Sequence, residues 1–139
     1  MTHLSAAALV AALPGMLVQF VLCLVLLAIG VVGYTLVTPF RERELIREGN
    51  AAAATSLSGA VVALAIPLAA LLATTSVMLE LLAWGVVAIL LQLLTVAVAT
   101  HLMRDMRRMI EAGEVAAALP VVAAQLAIAL LNAAAMVPV

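Results

Sequence analysis

The stretch Arg41-Glu-Arg-Glu-Leu-Ile-Arg-Glu-Gly-Asn50 interrupts a chain that is otherwise almost continuously apolar. A second interruption, Arg104-Asp-Met-Arg-Arg-Met-Ile-Glu-Ala-Gly-Glu114, comes later. Together they hold 12 of the 13 charged residues, including every arginine. Outside them the apolar runs are long enough to cross a bilayer, which takes about 20 residues per helix. The chain therefore reads as two helical hairpins, each folded around one charged turn.

Composition agrees. Of 139 residues, 68% are apolar and 9% charged, and the mean hydropathy is +1.36. A soluble domain carries about 25% charged residues, so this chain cannot cover a water-facing surface. The net charge of −1 and the absence of a basic stripe exclude a nucleic-acid partner. Cys23 is the single cysteine; it reads as a small packing residue, with no partner for a disulfide or metal site. The amino end lacks a positively charged leader, so all 139 residues are expected in the finished protein as one membrane domain.

Residues 4–13 are apolar and then meet Pro14-Gly15, a helix breaker. This predicts a short extra N-terminal segment, followed by a first span over 16–38. Tyr34, one turn from that span's end, suits a membrane interface. Thr38-Pro39 reads as N-cap and first position of a short charged helix over 39–48, with Glu44 reaching Arg47. Gly49 is the expected left-handed stop and Asn50 the N-cap of the second span, 51–73. In that span Thr55, Gly59 and Ala63 form a small-residue face, beside Ser56 and Ala60, on which another helix can lie closely. Pro67 frees one backbone carbonyl, which must kink the helix or find a neighbouring donor. The polar turn Thr74-Thr75-Ser76 leads to a third span, 78–103, opened by Glu80 and Trp84. The fourth span covers 115–136.

Orientation follows from the arginines. They occur only in the two charged turns, so the positive-inside rule puts both turns in the cytoplasm and both termini outside. A shift of 64 residues overlays the halves: Arg43 on Arg107, Ile46 on Ile110, Gly49 on Gly113, and Ala52-Ala53-Ala54 on Ala116-Ala117-Ala118. Two units, about 16–73 and 78–136, are thus expected as parallel repeats. Each contributes two spans, unlike the odd-numbered units of inverted-repeat transporters.

No catalytic motif, cofactor motif or metal-ligand spacing is present, so enzyme activity is not expected. His101 and Glu80 read as helix-end groups at the interface. The polar side chains at membrane depth that share faces are Gln92 with Thr95 and Gln125 with Asn132. Interhelical hydrogen bonding is the plain reading of this set; a polar path or small-ligand site is the sharper one. Arg43, Arg47, Arg107 and Arg108 are the candidates for docking a cytoplasmic protein, against the plain alternative of solvated loops.

One ordered set of residues resembles a known family. Val37-Thr-Pro39, Glu44-Leu-Ile46, Asn50, Ser58-Gly59 and Ile66-Pro-Leu68 form its first part; Ala83-Trp-Gly85, Ala88, Gln92-Leu93 and Asn132-Ala-Ala form its second. They are similar to the small bacterial inner-membrane proteins grouped as "domain of unknown function 350", over about residues 16–136. The resemblance implies four spans in two related halves, no established activity, and gene neighbours from envelope-stress, polyamine or peptide-ligase systems. Asn50, Gln92 and Asn132 match the pattern's polar positions, while Glu114 stands where the first half has Asn50. The expectation is a non-catalytic inner-membrane protein that self-assembles in the lipid bilayer and docks a cytoplasmic partner. The alternative is an oligomeric channel or small-solute conduit lined by Gln92, Thr95, Gln125 and Asn132.

Overall fold

A computed structural model describes residues 6–39 and 41–137. They form six helices: α1 (Ala6–Val37), α2 (Glu42–Arg47), α3 (Ala51–Thr74), α4 (Met78–Leu102), α5 (Arg104–Glu111) and α6 (Val115–Ala135). Four of them, α1, α3, α4 and α6, are long and apolar enough to cross a membrane. The short helices α2 and α5 are the charged turns, and they lie together at one end of the bundle.

The first span differs from expectation. Pro14 does not separate an N-terminal segment; it sits inside one 32-residue helix. Its ring removes one amide and frees the Val10 carbonyl, but residues 6–18 are exposed, so no tight packing opposes continuation. At about 1.5 Å per residue α1 outruns the roughly 30 Å hydrocarbon core. Its bundled part begins near Gln19, whose Nε2 donates to the Ser76 carbonyl of the 74–77 turn at 2.7 Å.

The second correction concerns Thr38-Pro39. Thr38 closes α1 instead of opening α2. Its amide and its hydroxyl both donate to the Tyr34 carbonyl at 3.0 Å. Helix α2 starts only at Glu42, without a side-chain cap. Glu44 pairs with Arg41 at 3.3 Å rather than with Arg47, and in α5 Arg107 pairs with Glu111 at 3.1 Å.

Where the charged helices end, the two halves match bond for bond. Gly49 and Gly113 have φ of +86° and +87°, the left-handed region that glycine enters without a Cβ penalty. Gly49 N donates to Ile46 O and Asn50 N to Leu45 O; Gly113 N donates to Ile110 O and Glu114 N to Met109 O. Each pair of bonds satisfies helix-end carbonyls in the same way. The spans that follow, α3 and α6, pack along each other. A Cβ on Gly59 would lie 2.5 Å from Val122 Cγ2, so the small residue sets how closely these helices approach.

The interior is divided along the length of the bundle. Toward the 74–77 turn it is apolar, filled by Cys23, Leu26, Leu64, Leu68, Leu81 and Ile89. Toward the charged turns buried polar side chains are set among two further apolar clusters.

Candidate functional site: a buried polar chain beneath a charged platform

The polar half is assembled by α1, α3, α4 and α6. Tyr34 points inward and is 1% exposed, contrary to its reading as an interfacial ring. Its hydroxyl shares a hydrogen bond of 2.8 Å with Ser56 Oγ on α3. A serine on the small-residue face leaves space for the phenol and supplies the partner that a buried hydroxyl requires.

Deeper in the bundle, Gln92 on α4 is 2% exposed. Its Nε2 donates to the Ala63 carbonyl at 3.0 Å and to the Gln125 carbonyl at 3.1 Å. Ala63 precedes Pro67 by four residues, so its carbonyl is the one that the proline leaves without an amide. Gln92 therefore repairs the break that Pro67 makes in α3. Gln125 on α6 is 1% exposed. Its side-chain oxygen and nitrogen, with Gln92 Oε1, are buried without a hydrogen-bond partner among the described residues. Tyr34, Gln92 and Gln125 line one cavity of about 10 Å³, the size that holds a single water.

The structure thus joins Gln92 to Gln125 but not to the other two polar candidates. Thr95 is half-buried and its hydroxyl donates to Leu91 O of its own helix at 2.9 Å. Asn132, two turns from Gln125, is half-buried, and its Nδ2 has no hydrogen-bond partner among the described residues. Neither lines the cavity.

At the charged end of the bundle, Arg43, Arg47, Arg107 and Arg108 are all exposed. Asn50 ties their two helices together. Its Oδ1 accepts from Ala53 N at 2.9 Å, capping α3 as expected. Its Nδ2 donates to the Ile110 and Glu111 carbonyls at 2.8 and 3.2 Å, at the end of α5. Beneath this link, Ala52, Ala53, Ile110, Ala117 and Ala118 form a second apolar cluster, with Leu45, Ile46 and Met106 against it. Glu114, the counterpart of Asn50, makes no side-chain cap. The bridge is therefore one-sided.

Glu42 was not singled out by sequence reasoning. It sits among the charges of α2, yet it is 2% exposed and both carboxylate oxygens lack a hydrogen-bond partner among the described residues. Burial pushes its carboxyl up to about 7, against a weaker downward pull from the nearby Tyr34 and Thr38 hydroxyls. The shift of 64 carried a usable signal: Glu42 aligns with Met106, an apolar residue packed inward. None of the buried polar residues is repeated, since Tyr34, Ser56, Gln92 and Gln125 align with Val98, Pro120, Ala28 and Val61. Two similar halves therefore build one unsymmetrical site.

The family model described as Domain of Unknown Function (DUF350) matches residues 8–136. No curated protein and no solved structure matches the chain.

Proposed function

The chain belongs to the Domain of Unknown Function (DUF350) family, and from its own geometry we propose that it is a non-catalytic membrane scaffold that docks a soluble partner on its charged end. The observation that carries this reading is the Asn50 bridge from the head of α3 to the tail of α5. A loop that merely connects spans in water has no need of a cross-link to the other loop. Here the link gives two turns a fixed relative position, and mixed charges held in fixed positions form a surface that can select a partner. By the positive-inside rule the same arginines support reading this end as cytoplasmic and the termini as on the far side, in the inner membrane of a bacterium.

The reading includes self-assembly and an origin by duplication. A shallow groove of small and apolar residues, among them Ala54, Thr55, Ser58 and Val62, runs along the outside of α3 and α6; its small residues suit close approach of a second helix. The matched glycine turns support duplication. A conduit would have to run between protomers, since the apolar cluster around Leu26, Leu64 and Leu68 lies across any route through one bundle.

The test is affinity capture of the full-length protein from its native membrane, with Arg43→Glu and Arg107→Glu combined. The expected result is a stoichiometric soluble protein bound to the wild type and lost from the variant, with particle size unchanged. Capture of the same protein by both, or of none by the wild type, contradicts docking.

A further inference from the structure

We propose that Glu42, enclosed with the hydroxyls of Tyr34 and Thr38 under the charged end, is a proton-binding site whose deprotonation releases α2 from the bundle. The proposal deepens the docking reading, because α2 carries Arg43 and Arg47, but its test observes α2 itself and needs no partner.

The geometry is that of a group that must stay neutral to stay in place. Both oxygens are buried and make no hydrogen bond within normal geometry among the described residues, and the nearby Tyr34 and Thr38 hydroxyls offset the burial only in part. The two nearest hydroxyls are engaged elsewhere: Tyr34 with Ser56 at 2.8 Å, and Thr38 with the Tyr34 carbonyl at 3.0 Å. Among the described residues no cation pairs with the carboxylate. On α2 and its two flanking residues Arg41, Arg43, Glu44, Arg47 and Glu48 are exposed, and Arg41 is held by Glu44 at 3.3 Å. On α1 the titratable neighbour is Tyr34. Helices α3 and α6 contain no titratable side chain. On α5 Arg107 lines a cavity with Tyr34 and Thr38, but its guanidinium bonds Glu111 at 3.1 Å. A buried carboxylate without counterion is disfavoured against its acid, and against that cost the six-residue helix sets chiefly the packing of Leu45 and Ile46 on the second apolar cluster.

The sign follows. The carboxyl is raised in the docked state, to about 7 from an ordinary 4.5, so the docked state holds a proton that the released state gives up. Docking of α2 is therefore strongest at low pH, weakens as pH rises from 4.5 through 7, and stays weak above that. Acidification closes α2 onto the bundle; alkalinisation frees it.

The experiment is backbone hydrogen exchange of residues 41–50 in full-length protein in phospholipid nanodiscs. Rates are corrected for their intrinsic pH dependence, and wild type is compared with Glu42→Gln. In wild type, protection should fall by about tenfold or more as pH rises from 4.5 to 7, with little further change above 7. Glu42→Gln should remain protected throughout. A flat wild-type profile, or the same fall in both proteins, overturns the proposal. Should Glu42→Gln not fold, the wild type is compared with Tyr34→Phe by infrared titration of the protonated-carboxyl band. Loss of the phenol should move the midpoint to higher pH; an unmoved midpoint overturns the proposal.

Discussion

At the scale of single residues, Gln92 and Pro67 explain each other. A proline in a spanning helix leaves a carbonyl that lipid cannot satisfy, and Gln92 reaches that carbonyl at 3.0 Å. Gln92→Leu should therefore destabilise the protein by about 1–3 kcal/mol through the orphaned Ala63 oxygen. Pro67→Ala in the same chain should recover most of the loss, because position 67 then supplies its own amide. Thermal unfolding in detergent, run as a double-mutant cycle, checks this; equal losses with and without Pro67 would contradict it. A need for a donor at Ala63 was legible from Pro67. The identity of that donor was not, because it sits on another helix. Tyr34 and Glu42 were misplaced for a related reason. An aromatic near a helix end and a glutamate among arginines are ordinary surface patterns. Only the packing of α1, α2 and α3 around Ser56 turns both inward.

At the scale of elements, α3 and α6 approach through Gly59. Gly59→Ala places a methyl 2.5 Å from Val122 Cγ2, and overpacking of this kind costs about 1–3 kcal/mol. Val122→Ala should relieve it, so the double variant should be more stable than Gly59→Ala alone. A melting temperature for Gly59→Ala equal to that of wild type would contradict the close contact. The spans and their ends were legible because charge, glycine and asparagine bracket them: Gly49 stops α2 and Asn50 caps α3, and Gly113, which aligns with Gly49, makes the same turn. The N-terminal break was not, since Pro14-Gly15 disrupts a helix only where packing or hydrogen bonds oppose continuation, and residues 6–18 are exposed. The short helix α2 was read too long because Thr38 serves the end of one helix as readily as the start of the next.

At the scale of the whole molecule, one bundle holds two environments. The half toward the 74–77 turn is an apolar plug, and the half toward the charged turns carries Tyr34, Ser56, Gln92 and Gln125 under a platform of arginines and acids. The fourfold span pattern and the register of the halves stand in the sequence. The one-sided site does not, because it arises where the halves differ. The central claim is that Asn50 makes one docking surface of two turns. Asn50→Ser tests it most directly: serine keeps a capping oxygen for α3 but lacks the amide that reaches Ile110 and Glu111. The measurement is the amount of soluble partner that co-purifies with full-length protein from its membrane. The predicted result is loss of the partner comparable to that of the Arg43→Glu, Arg107→Glu variant, with every charge still present. Full retention of the partner by Asn50→Ser would contradict the claim.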